Sequence, residues 1–268
     1  MADNAILVQD IEKFFPPALS GWRGFFSPFA SPTLCALASI NFQVAMGESF
    51  AIIGANGAGK STLLRILTTL LLPSSGRAKV AGFDVVTDSA GARRALGFHS
   101  GADAGFHARL TAAQNLRFYA TLRNMTSPQI EARISATSSL LGLSDALPRQ
   151  VRALSSGTVQ RLSLARAVIH SPRVLLLDEP TRSLDPLAAA EFRAFLRKDL
   201  ISHDGATLLF ASHSLLEVES LADRVALLDA GHLLFCGTPS EMRRATGVQS
   251  LEEAMSLLTT RAAKAREA

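Results

Sequence analysis

The octapeptide Gly54-Ala55-Asn56-Gly57-Ala58-Gly59-Lys60-Ser61 lies between an apolar run, residues 49–53, and the leucine-rich stretch that follows Lys60. Its glycines let the backbone curl until successive N–H groups face one centre, and a helix starting there adds its positive end. This is the pattern of a phosphate cradle, with Lys60 placed to reach the β and γ phosphates of a nucleotide and Ser61 to bind magnesium. A strand, a phosphate loop and a helix in that order point to an α/β architecture.

The remaining pattern agrees. Short strands are expected at residues 5–8, 36–44, 49–53 and 78–81, then at 174–177, 207–211 and 225–228, with helical stretches such as 187–197 between the later ones. Alternation of that kind is what a mostly parallel sheet requires. Residues 89–143 read as mostly helical and interrupt the alternation; the best helix follows Thr111, a good N-cap for the segment after it. Asp229-Ala230-Gly231-His232 is a hairpin signal, and a helical, basic tail starts at Pro239.

A second cluster of chemistry closes the strand at 174–177. Val174-Leu175-Leu176-Leu177 runs directly into Asp178 and Glu179, and a buried strand that ends on two acids calls for a cation. Asp178 is suited to hold magnesium and Glu179 to polarise a water that attacks the γ phosphate. Together with the phosphate loop this pair points to nucleotide hydrolysis.

Composition narrows the setting. Hydrophobic residues make up 48% of the 268 and charged residues 19%, so disordered and collagen-like readings fail. Mean hydropathy is +0.22, yet no apolar run reaches the length of about 18 residues that spans a bilayer. Cys35 and Cys236 are too few and too far apart for a disulfide framework or a zinc site, and no signal peptide is visible, so a reducing cytoplasm is expected. The net charge of +4 comes from cations mostly spread singly, with adjacent arginines only at Arg93-Arg94 and Arg243-Arg244; without aromatic interleaving this does not describe a nucleic-acid surface.

Leu154-Ser155-Ser156-Gly157-Thr158-Val159-Gln160-Arg161 precedes the acidic strand by about one helix, Ser183-Leu184-Asp185 follows it, and His213 ends the next strand. With the phosphate loop, this order resembles the ATP-binding subunit of an ABC transporter over nearly the whole chain. The resemblance implies a P-loop NTPase core with a mostly parallel sheet, an antiparallel β subdomain and an inserted α-helical lobe. Its bounds would be an ATPase domain at 1–246, with the lobe at about 89–154, and a helical tail at 247–268. ATP and Mg2+ would be bound by Gly54, Asn56, Gly57, Gly59, Lys60, Ser61, Thr62 and Asp178, with Glu179, His213 and Lys60 carrying catalysis. Ser155 and Gly157 of the signature segment would bind the γ phosphate held by a second subunit, and Asp185 would link the two sites. The departures from the usual signature are Ser156 and Thr158. Lys13-Phe14-Phe15 resembles the segment whose aromatic ring stacks on adenine; spacing selects Phe15 over Phe14, with a core phenylalanine as the alternative.

One departure is larger. The family places a magnesium-sensing glutamine after the strand that follows the P-loop helix, where Leu96-Gly97-Phe98-His99-Ser100-Gly101-Ala102-Asp103 stands here, and the equivalent position is Gly101. Either hydrolysis slows or Asp103 or His99 takes over the role. Residues 16–35, with the only tryptophan and Phe25, Phe26 and Phe29, form an insertion that packs on a membrane subunit, on the bilayer surface or on its own domain. The insertion together with residues 105–116 resembles exporters of the ABC-2 type, whereas the Asp178-Glu179-Pro180-Thr181 run, Ser183-Leu184-Asp185 and Leu251-Glu252-Glu253-Ala254 resemble the broader drug and lipid export branch. The resemblance therefore implies a peripheral subunit at the cytoplasmic face of the membrane that energises an exporter of polysaccharide, lipid or drug-like cargo. Its partners would be a permease and a second ATPase subunit, identical or homologous. A regulatory ABC subunit with little turnover and a non-transport ABC ATPase are the alternatives.

Overall fold

The computed structural model describes residues 4–16, 34–100, 105–182, 184–201 and 206–267. Most of the expected 16–35 insertion, and Gly101, Asp103 and Ser183, lie outside the described residues.

The centre of the molecule is a strand that is buried on both faces. β3 (Ser49–Ile53) has every residue buried and lies in the middle of a six-stranded sheet of order β10-β9-β3-β8-β7-β6. The other members are β6 (Leu96–Ser100), β7 (Val174–Asp178), β8 (Thr207–Ser212), β9 (Arg224–Asp229) and β10 (His232–Gly237). All neighbours pair in parallel except β10, which turns back on β9 through the expected hairpin. Burial on both sides explains why these strands read as unbroken apolar runs. Alternate side chains go to opposite cores. Ala51, Ile53, Leu175, Leu177, Leu208 and Phe210 face one, while Phe50, Ile52, Val174, Leu176, Leu209 and Ala211 face the other.

The second core is closed by α1 (Lys60–Leu67), whose Leu63, Leu64, Ile66 and Leu67 are fully buried, and by a four-stranded sheet of order β2-β1-β4-β5. β1 (Asn4–Phe15) and β2 (Leu34–Ala45) are long antiparallel partners, with β4 (Ser75–Val80) and β5 (Phe83–Asp84) beside them. The twelve-residue β1 exceeds the four residues read from the sequence because its outer half does not alternate polar and apolar residues and breaks register more than once. The two sheets are tied where Arg224 donates to Gln43 O (3.2 Å) and Glu48 Oε1 (3.1 Å).

The first core is covered by α3 (Ala112–Leu122), α4 (Ser127–Leu140) and α5 (Ser156–Val168), together with α6 (Pro186–Phe195) and α7 (Leu215–Leu221). Thr111 caps α3 as expected, and the cap is reciprocal: Thr111 Oγ1 accepts from Gln114 N (3.1 Å) while Gln114 Oε1 accepts from Thr111 N (2.8 Å). The mostly helical reading of 89–143 holds for three helices and is corrected near its start. α2 (Ser89–Ala95) runs straight into β6, an edge strand of the large sheet. Five residues are too few for periodicity to separate a buried strand from a helix. The chain ends in α8 (Pro239–Thr246) and α9 (Leu251–Glu267). Among the described residues no helix is long and apolar enough to cross a membrane.

Replacing Thr111 with Ala removes one arm of the α3 cap and should lower stability by about 1 kcal/mol, measured by urea unfolding.

Candidate nucleotide-binding site

Parallel strands bring their carboxyl ends to one edge, and there the sheet carries a cleft of about 400 Å³. The loop after β3 forms its floor. Gly54 adopts φ +147°, and a Cβ there would lie 2.1 Å from the Leu228 carbonyl of β9. Gly59 adopts φ +106° as the cap of α1, and its Cβ would meet Ala36 O at 2.7 Å and Leu37 at 2.8 Å. Both positions therefore exclude any side chain. The first amides of α1 have no acceptor within the helix and face the cleft that Asn56, Gly57, Gly59, Lys60, Ser61 and Thr62 line.

Lys60 is 6% exposed and donates to Gly54 O (2.7 Å) and Ala55 O (3.0 Å). Burial pulls its ammonium below the ordinary lysine value, opposed by the charges of Glu179 and Asp178. Asp178 ends β7 and accepts from Ser61 Oγ at 3.4 Å, so a hydroxyl and a carboxylate converge beside the loop. That donor pair suits a hard cation whose other ligands are phosphate and water. Among the described residues no group of three or more His, Cys, Asp or Glu could hold a metal.

Glu179 follows in a left-handed conformation, φ +51°, held by its N–H to Ala211 O (2.9 Å). Its Oε2 lies 2.5 Å from His213 Nδ1. The carboxylate side chain is 16% exposed and the imidazole 57%, so the acid sits in the wall and the histidine at the mouth. Phe15, at the end of β1, lines the cleft, and Phe14 does not. The Lys13 ammonium rests 5.2 Å from the centre of the Phe15 ring.

The cleft thus gathers Phe15, Asn56, Gly57, Gly59, Lys60, Ser61, Thr62, Asp178 and Glu179, with His213 reached through Glu179. It does not gather the other expected residues. Ser155 caps α5, accepting from Thr158 N at 3.3 Å. Gly157 borders a separate apolar cavity against α6. Asp185 caps α6, accepting from Leu187 N (3.1 Å) and Ala188 N (3.0 Å). His99, one of two residues considered for the missing glutamine's role, does not line the cleft. It is fully buried and engaged with Ser163 and Gln160. Besides Leu34, Cys35 and Ala36 of β2, two lining residues were not singled out from the sequence: Ser100, which pairs in register with Asp178, and Arg182, three residues beyond Glu179. Neither belongs to a pattern that sequence alone exposes.

Residues 37–182 match the ABC transporter family. The chain belongs to that family. The ABC transporter ATP-binding protein NatA of Bacillus subtilis is 36% identical over 75% of this chain and 81% of its own length. Daunorubicin resistance ATP-binding protein DrrA3 of Streptomyces coeruleorubidus is 35% identical over 92% of this chain and 72% of its own. The structure of cbiO1 from Clostridium perfringens, part of the ABC transporter complex cbiONQ, covers 96% of this chain and 99% of its own at a TM-score of 0.74 and 25% identity. This ABC subunit binds and hydrolyses ATP to energise a transporter.

Substituting Lys60 with Met removes the cation while leaving an apolar stem. ATP affinity should fall at least about tenfold, as loss of one charge-assisted hydrogen bond implies, measured with a fluorescent ATP analogue.

Proposed function

We propose that Glu179 acts as the general base of this ATPase and that His213 orients it and contacts the γ phosphate. The observation that carries the reading is the Glu179–His213 pair at 2.5 Å, in which Glu179 lines the same cleft as Lys60, Ser61 and Asp178. A carboxylate recessed in the wall beside a phosphate loop can take a proton from water as that water attacks phosphorus. Lys60 and the α1 amides draw charge from the β and γ oxygens. Ser61 and Asp178 would hold Mg2+, which would supply positive charge to offset that of the phosphates. Phe15 offers the adenine a ring face.

Ser155, Gly157 and Asp185 point to a second ATPase subunit, because none of them lines this chain's own cleft. In the proposed head-to-tail pair, each α5 N-terminus faces the γ phosphate held by the other copy.

The membrane partner is proposed to dock between α2 and the α3–α4 pair. A cleft of about 820 Å³ there is lined by Arg93, Arg94, Arg123, Arg133 and His170. Among the described residues no carboxylate pairs with these arginines. Arg133 donates to Val168 O and Ile169 O (both 2.9 Å) and Arg93 to Thr69 Oγ1 (2.9 Å). Burial first, then Arg123 and Arg133, push His170 down to about 4, so near neutrality it adds no charge. Such a surface fits an acidic cytoplasmic segment of a permease, and the subunit is proposed to sit at the cytoplasmic face of the membrane. Direction is proposed as export and cargo as drug-like, lipid or polysaccharide, supported by the drug-resistance relative and the sequence resemblance at 105–116.

Glu179→Gln should reduce ATP turnover at least about a hundredfold and His213→Ala about tenfold or more, within the range of general-base catalysis, with ATP affinity kept in both. Phosphate release and analogue binding measure the two. Wild-type turnover in Glu179→Gln would overturn the base assignment. Arg123→Glu should abolish stimulation of turnover by the co-reconstituted membrane subunit while leaving ATP affinity intact; retained stimulation would move the docking face elsewhere.

A further inference from the structure

A buried polar chain connects the signature helix to the hydrolytic site. Gln160 in α5 is 6% exposed, and its amide nitrogen donates to Pro180 O at 2.7 Å and contacts His99 Nε2 at 3.0 Å. His99 Nδ1 lies 2.9 Å from Ser163 Oγ, one turn further along α5. Ser163 Oγ also accepts from Arg166 Nη2 (3.3 Å). The Arg166 guanidinium in turn lies 5.0 Å from the ring centres of both Phe106 and Tyr119, the latter in α3.

The donor count has one solution. A primary amide has two N–H groups. With one on the Pro180 carbonyl, the other goes to His99 Nε2, which must then be a lone pair. The imidazole proton sits on Nδ1 and is donated to Ser163. A ring buried this deeply, with Arg166 nearby, has its protonation pushed down to about 4, so this tautomer persists at neutral pH. Every buried polar atom of Gln160 and His99 that the chain uses is matched, which is what makes such a network rigid.

Pro180 directly follows Glu179, which is held at φ +51°. Fixing the Pro180 carbonyl on one side and the Glu179 N–H on Ala211 O on the other leaves the intervening backbone little freedom. We propose that Gln160, oriented by His99, is a positioning residue that sets the Glu179 carboxylate through the Pro180 carbonyl and so links the signature helix to the hydrolytic site. This rests on Glu179 being the general base.

The test uses the full chain in the assembled transporter and compares Gln160→Met, His99→Leu and His99→Gln with Glu179→Gln. Methionine keeps the length of Gln160 and loses both donors. Glutamine at position 99 can accept from Gln160 and donate to Ser163, whereas leucine can do neither. Expected are a fall in kcat of about tenfold to a hundredfold in Gln160→Met and His99→Leu, the scale of a small misplacement of a reacting group, ATP affinity within about twofold of wild type, and recovery of most of kcat in His99→Gln. A 15N imidazole spectrum of the wild type should show the Nδ1–H tautomer at neutral pH. Wild-type kcat in Gln160→Met, equal kcat in His99→Leu and His99→Gln, or losses of kcat that track losses of ATP affinity would each overturn the proposal. If Gln160→Met does not fold, the His99 pair decides. An active Glu179→Gln protein would instead sink the general-base reading on which this one stands.

Discussion

Everything at the nucleotide cleft depends on β3 lying between β8 and β9 with parallel pairing on both edges. Parallel register puts the phosphate loop after β3, the acids after β7 and His213 after β8 on one edge of one sheet. The loop can then descend against β9 only because position 54 has no side chain. The cleft is therefore a property of sheet order before it is a property of any catalytic side chain. Two separate cores, one on each face, keep that edge rigid.

Residues whose identity the backbone dictates were legible in the sequence. Gly54 and Gly59 mark positions where a Cβ has no room, Lys60 and Ser61 follow at the distance a helix start imposes, and Asp178-Glu179 end an apolar strand. Thr111 was legible as a cap because its partner Gln114 is three residues away. β6 was not, because a five-residue strand containing Gly97 and His99 carries no period. The Gln160–His99 contact joins residues 61 apart along the chain, and no local pattern announces it. Ser100 and Arg182 are likewise placed in the cleft by sheet pairing and by the turn after β7, not by a motif of their own.

The fold also separates two kinds of loaded polar group. Inside, Gln160, His99 and Ser163 satisfy one another almost completely, and such networks hold geometry. At the surface between α2 and α4, arginines lack carboxylate partners among the described residues. Unmet demand of that kind favours an incoming anionic group, since the desolvation it would otherwise require is already partly met. Arg166 extends the buried network, stacked on Tyr119 of α3 and donating to Ser163.

Lys60 has a further consequence. Its ammonium already bonds the Gly54 and Ala55 carbonyls, so an incoming triphosphate competes for protons that are in use. Nucleotide binding is then an exchange of acceptors, and its free energy is a difference between two bonded states. A loop stapled in advance loses little conformational entropy on capture. Selectivity follows from the same difference: a weakly charged ligand gains nothing by displacing the carbonyls, whereas a polyphosphate does.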